Sequence, residues 1–237
     1  MGNPHILITG AGQRIGLSLA ENFLEQGYQV IASYRTRRAS IERLETRGAK
    51  CIQADFSSDD GIRSFIENVK SVTSSLRAIV HNASDWNAEK YADCPASLIN
   101  DMMQVHVKAP YLINLALSAS LDADNGSCAD IIHMTDYVVQ KGSHKHIAYA
   151  ASKAALENLT LSFAQQLAPT VKVNSIAPAL IMFNEGDDET YQKKALSKSL
   201  LGIAPGANEV VKAVNYLLES DYMTGQILKL DGGRALK

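Results

Sequence analysis

The feature that most restricts this chain is a glycine-rich turn between a short apolar run and a helical pattern. HILIT at 5–9 reads as a buried strand, GAGQRIG follows at 10–16, and Ile15, Leu19, Phe23 and Leu24 share a helix face that ends near Gly27. Strand, glycine turn and helix in that order present backbone amides and the positive end of a helix dipole to a phosphate. They also demand a neighbouring parallel strand, and so an α/β sheet.

The rest of the chain alternates as such a sheet requires. Further strands are expected at 29–34, 49–54, 76–80, 130–135, 171–177 and 226–230. Helical patterns run up to Arg47, onward from Asp59, and over 97–121, 149–167 and 208–218, with Pro110 either kinking the long one or lying near a local break. The expected fold is a Rossmann-type, doubly wound parallel sheet of about seven strands flanked by helices, one domain over 1–237. The polar segment from about 184 to 200 reads equally as a substrate flap or as a surface helix that decorates the fold.

Charge and cysteines remove several classes. With 23 basic and 25 acidic side chains, nothing favours a nucleic-acid partner. Cys51, Cys94 and Cys128 match no metal or disulfide spacing, and no apolar run has the plan of a signal peptide or the length of a membrane span. A cytoplasmic protein without a metal is expected.

Two stretches carry chemistry. Tyr149 and Lys153 lie four apart on a predicted helix, hence on one face. A phenol titrates near pH 10, and an ammonium one turn away favours its charged form, which makes Tyr149 a candidate proton donor. Such pairs are common on solvated helices, so this reading depends on the dinucleotide site. At the end of the second strand, Tyr34, Arg35 and Thr36 stand where an NAD site places a carboxylate. A cation among hydroxyls suits a 2′-phosphate, hence NADPH; the alternative is that Arg35 only begins a solvated loop.

The Thr9-Gly10 turn, Asn82-Ala83-Ser84, Tyr149 with Lys153, Asn174 and Pro178 together resemble the short-chain dehydrogenases/reductases over nearly the whole chain. The resemblance implies that Gly10, Ile15, Asn82, Ala83, Ser84, Lys153 and Pro178 line the cofactor, with Asp55 and Phe56 beside the adenine. Asp55 reads equally as a cap. A homotetramer is implied too.

Three residues depart from the general pattern. Arg14 replaces the middle glycine of the turn, where it suits cofactor phosphates. Asp136 replaces the usual serine thirteen residues before the tyrosine; a carboxylate there repels a developing alkoxide but suits a nitrogen-rich ring. Trp86 sits in the loop after the fourth strand, as one wall of a slot for a flat heterocycle or else as a core residue. These features, with Tyr34-Arg35-Thr36 and the run through Lys145 to Lys153, resemble the pteridine reductases. The implied reaction is NADPH-dependent reduction of a 7,8-dihydropterin, 7,8-dihydromonapterin first among them, with weaker action on dihydrofolate and dihydrobiopterin. Asp136 and Tyr149 organise proton delivery to N5, Lys153 holds the nicotinamide ribose, and Trp86 and Tyr191 border the pterin. His106 stands where the family has asparagine, either in a relay to Lys153 or as a structural histidine. The competing readings are a reductase of another small carbonyl compound and a non-enzymatic NADP(H) sensor.

Overall fold

The computed structural model describes residues 5–122 and 128–237, so 1–4 and 123–127 of the expected domain lie outside the described residues. Seven strands form one sheet: β1 (His5–Ile8), β2 (Gln29–Tyr34), β3 (Lys50–Gln53), β4 (Leu76–His81), β5 (Ala129–Met134), β6 (Val171–Pro178) and β7 (Ile227–Leu230). Every pairing is parallel, and the order is β3-β2-β1-β4-β5-β6-β7. Chain direction across the sheet reverses between β1 and β4, which opens a crevice at their C-terminal ends.

Alternate residues of the central strands explain the layers. Ile6 and Ile8 of β1 pack with Leu19 and Phe23 of α1 (Arg14–Glu25), Ile41 and Leu44 of α2 (Ala39–Thr46), and Val210 and Val214 of the helix Ala207–Glu219. Leu7, one residue out of phase, packs instead with Phe65 of α3 (Asp59–Val72) and with Ile113 and Phe163 from two later helices. Because side chains alternate across a strand, one apolar run feeds two cores.

The expected helix over 97–121 is interrupted. It divides into α4 (Pro95–Met103), a π-helical turn (Gln104–Lys108) and α5 (Ala109–Leu117). Pro110 has no amide hydrogen for the carbonyl four residues earlier, and the widened turn before it accommodates that loss. Beyond β5 a short α6 (Val138–Lys141), too brief to show periodicity, precedes α7 (Ile147–Leu167). The 184–200 segment contains α8 (Glu189–Leu196), capped by the Asp188 side chain on the Tyr191 amide, and Ala207–Glu219 is α9. No helix among the described residues is long and apolar enough to cross a membrane.

A buried polar chain runs between sheet and helices. His81 Nε2 lies 2.7 Å from Asn114 Oδ1, Asn114 Nδ2 3.2 Å from His133 Nε2, and His133 Nδ1 2.8 Å from Thr160 Oγ1, whose hydroxyl donates to the Leu156 carbonyl. Burial holds His81 down to about 4 and His133 well below its usual value. Unfolded, each histidine takes up a proton below about pH 6.5. Stability should therefore fall as pH drops from about 6.5 towards 4, by roughly 3 kcal/mol for His81 alone. Urea unfolding across that range should show His81→Gln losing about one proton from the linked uptake; an unchanged slope would contradict the buried neutral state.

Candidate active site

The glycine turn is stapled on both sides. Gly10 N donates to Ser33 Oγ at 3.0 Å and Ala11 N to the Ser33 carbonyl at 2.7 Å, which ties the turn to β2. Thr9 Oγ1 accepts the amides of Asn82 and Ala83, both at 3.0 Å, while Asn82 Nδ2 donates to the carbonyls of Thr9 and Gly10. Gly10 has φ +69°, and a Cβ there would stand 2.7 Å from Ala83 Cα. Only glycine allows the two loops to meet this closely.

Arg14 is the one non-glycine residue with positive φ among the described residues, at 54°. It keeps the backbone conformation that a glycine would adopt freely. Its guanidinium turns to the backbone and side chain at 182–184, donating to Asn184 Oδ1 at 2.5 Å and to the carbonyls of Met182 and Phe183 at 3.2 and 3.4 Å. These bonds tie the glycine turn to the segment that follows β6. At the start of α1 no side chain caps the amides and no acidic residue occupies the first turn. Uncapped amides at a positive helix end fit the pyrophosphate of a dinucleotide.

The 2′-phosphate candidates are divided. Arg35 is exposed beyond β2 and its Nη1 meets Asp85 Oδ2 at 2.8 Å. Tyr34 is buried, with its hydroxyl 3.3 Å from Arg37 Nη1, and Thr36 is exposed. Asp55 accepts the Ser57 amide at 3.0 Å, and that bond holds its carboxyl below the usual range. This is a local turn, and the cap of α3 is Ser58, whose hydroxyl accepts the Gly61 amide at 3.1 Å. The Phe56 ring belongs to the core, edge-on to Phe65 at 5.2 Å. Ile15 packs against the core, and the Pro178 carbonyl accepts the Tyr137 amide at 3.1 Å.

Asp136 and Tyr149 meet. Tyr149 donates its hydroxyl proton to Asp136 Oδ2 at 2.9 Å, and Asp136 Oδ1 accepts the Val138 amide at 2.8 Å. Burial raises the Asp136 carboxyl above its ordinary value despite the Val138 amide, the Tyr149 hydroxyl and the charges of Lys153 and Arg234. Burial also pushes Tyr149 well above 10, reinforced by the neighbouring aspartate, with the Ser84 hydroxyl pulling the other way. Lys153 Nζ lies 5.6 Å from the centre of the phenol ring and donates to the Met134 carbonyl at 2.8 Å. Its burial lowers it to about 8. Lys153 was expected to favour the charged form of the phenol, whereas here burial and Asp136 set the direction and favour the neutral one. The neutral forms of both Tyr149 and Asp136 are thereby favoured.

His106 is placed by the π-helical turn, and its partners define its tautomer. The Asp85 amide, which can only donate, reaches Nε2 at 3.2 Å, so the proton resides on Nδ1. Nε2 also takes the Ser84 hydroxyl at 2.9 Å, and Nδ1 faces Ser152 Oγ at 2.8 Å, which donates to the Tyr149 carbonyl at 2.7 Å. Burial, with Lys153 nearby, lowers the imidazole to about 2. It is a neutral brace, and no hydrogen bond joins it to Lys153 among the described residues.

Trp86 is 64% exposed, which removes the core reading. Its ring stands edge-on to His146 at 4.8 Å, His146 Nδ1 lies 3.4 Å from the Asn87 carbonyl, and Glu89 Oε1 accepts the Ala148 amide at 2.8 Å. The Trp86 loop is thus fastened to the first turn of α7, the turn that carries Tyr149. Glu89 and His146 were not apparent from spacing; an uncapped α7 start, with no Ser, Thr, Asp or Asn immediately before it, was the available signal. Tyr191, half exposed on α8, makes no ring contact or side-chain hydrogen bond with Trp86, Asp136 or Tyr149 among the described residues.

Comparison with known proteins fits this geometry. The family model described as "Enoyl-(Acyl carrier protein) reductase" matches residues 10–235. A dihydromonapterin reductase of Klebsiella pneumoniae is 61% identical over 98% of this chain and 97% of its own length. One from Escherichia coli O139:H28 is 56% identical over the full length of both. In structure, FolM alternative dihydrofolate reductase 1 from Brucella canis, complexed with NADP, superposes with a TM-score of 0.89 at 28% identity, covering 100% of this chain and 95% of that one.

Proposed function

The chain belongs to the short-chain dehydrogenase/reductase family, and we propose that it reduces 7,8-dihydromonapterin to 5,6,7,8-tetrahydromonapterin with NADPH, with weaker action on dihydrofolate and dihydrobiopterin. The observation that carries the reading is the 2.9 Å bond between Tyr149 and Asp136, in a chain that is 61% identical to a dihydromonapterin reductase. A serine at position 136 would offer its hydroxyl to a ketone oxygen. A carboxyl of raised pKa holds a proton for a ring nitrogen instead.

When bound, NADPH supplies the hydride that reaches C6 of the dihydropterin C=N bond. The uncapped amides of α1 and the Gly10 turn hold its pyrophosphate, Arg35 and Thr36 its 2′-phosphate, and Lys153 its nicotinamide ribose; Ile15, Tyr34, Asn82, Ala83, Ser84 and Pro178 shape the cleft. Asp55 and the edge of Phe56 stand beside the adenine. Trp86 stacks on the pterin, and Tyr149 passes a proton towards N5 while Asp136 holds and replaces it. The segment 184–200 serves as the flap, with Arg14 gripping Asn184 at its start and the two residues before it, and with Tyr191 joining the substrate as it closes. The protein works in the cytoplasm as a homotetramer: Met103, Tyr111, Leu115 and Leu161 are exposed on α4, α5 and α7, an apolar outer face that supports assembly.

Anaerobic NADPH oxidation with 7,8-dihydromonapterin, beside dihydrofolate, dihydrobiopterin and a small ketone, tests the reading. Tetrahydropterin should form fastest from dihydromonapterin; turnover of the ketone alone would refute it. Arg35→Ala should weaken NADPH binding about 10- to 100-fold, the loss of charge-assisted bonds to phosphate, and leave NADH nearly unaffected. Equal losses in direct titrations would reassign Arg35.

A further inference from the structure

Arg35 follows β2 and Asp85 follows β4, and β1 with its glycine turn lies between those strands. Two strand spacings are about 10 Å, so the ion pair crosses over the start of the glycine turn. It spans the crevice in which a dinucleotide lies.

Asp85 is engaged from three directions. Its amide donates to His106 Nε2 at 3.2 Å, which pins the backbone. Its Oδ2 takes Arg35 at 2.8 Å, and its Oδ1 takes the Trp86 amide at 3.0 Å. A single carboxylate therefore touches the cation at the adenosine end of the cleft and the aromatic loop at the other.

The Arg35 and Asp85 side chains are 61% and 43% exposed. Ion pairs this open to water are weak. A phosphate offers the guanidinium a bidentate, charge-assisted contact and displaces the aspartate.

We propose that Asp85 is a positioning residue that reports occupation of the 2′-phosphate position to the Trp86 loop, so that the phosphate of the cofactor prepares the pterin wall. This rests on the reading of Arg35 as the 2′-phosphate contact. With Arg35 withdrawn, the carboxylate turns about its pinned backbone and the Trp86 amide changes partner. A nucleotide lacking the 2′-phosphate leaves the strap closed and the loop unprepared.

Trp86 is the single tryptophan of the chain, so emission reads this loop alone. The probes are 2′,5′-ADP and 5′-AMP, which carry no nicotinamide, with binding followed by calorimetry and emission recorded at matched occupancy. In the wild-type protein 2′,5′-ADP should change the emission and 5′-AMP should not. Asp85→Asn keeps an oxygen for the Trp86 amide and removes the charge that holds Arg35. It should bind 2′,5′-ADP about two- to fivefold more tightly, the strength of an exposed ion pair, with the emission change abolished. Equal responses to both nucleotides in the wild type, or a full response in Asp85→Asn, would overturn the relay while leaving the phosphate site intact. If 2′,5′-ADP binds no better than 5′-AMP, the Arg35 assignment fails first and the relay with it.

Discussion

Tyr149→Phe is expected to lower turnover of 7,8-dihydromonapterin by about 10²- to 10⁴-fold, the range for removal of a positioned acid. The substitution deletes one oxygen and little else. The ring keeps its edge-on contact with His106 at 5.4 Å, and the Ser152 bond goes to the backbone carbonyl of residue 149, which phenylalanine retains. NADPH affinity and the unfolding midpoint should stay near wild type. The loss should appear in kcat, since the hydroxyl acts on the reaction and not on uniform binding. Residual turnover measures how well Asp136 delivers a proton through water. A kcat within about threefold of wild type would remove Tyr149 from the proton path.

The second large effect concerns stability, at the opposite ends of the strands. Asp130 at the start of β5 is wholly buried between Arg77 Nη1, 2.5 Å from Oδ2, and Lys172 Nζ, 3.2 Å from Oδ1. Arg77 also donates to the Leu218 carbonyl at 2.9 Å, and Lys172 to the carbonyls of Leu217 and Ser220. One carboxylate thereby balances two cations that cap the last turn of α9 and fasten it to β4 and β6. Burial alone raises the Asp130 carboxyl, and the two cations act against that. Asp130→Ala leaves both cations buried without a counter-charge and should cost about 3–5 kcal/mol. For a chain of this size the midpoint should fall by about 10 °C. Urea unfolding that shows less than about 1 kcal/mol would mean that water reaches and screens the pair.

Local pattern foretold the sheet better than the site. Gln29–Tyr34 was recognisable residue for residue because a run of apolar and β-branched residues ends at a basic loop, and α3 announced itself through Asp59, Asp60 and the Ile62, Phe65 and Val69 spacing. In the long helix Pro110 signalled a kink or local break, but the π turn before it was not legible, since it leaves no periodic signature over five residues. Tyr149 and Lys153 were legible because they share one helix. The direction in which each shifts was not, because it depends on how deeply the pair is buried and on Asp136, thirteen residues before the tyrosine. Contacts across the cleft were illegible for the same reason. Arg35 to Asp85 spans 50 residues and Arg14 to Asn184 spans 170, and no local pattern encodes such meetings.

The π-helical turn at Gln104–Lys108 has a consequence for insertions and deletions in this part of the chain. Each residue of a helix advances it by about 100°, so the turn sets the angular phase between α4 and α5. Deleting one residue there would let the two helices join smoothly and would cost the fold little. It would also swing His106 away from Ser152 and Ser84, and with them the brace behind both the Tyr149 backbone and the loop that carries Asp85 and Trp86. The extra residue is kept for direction rather than for length, and chains sharing this site should hold the count between Met102 and Pro110 constant even where the residues differ.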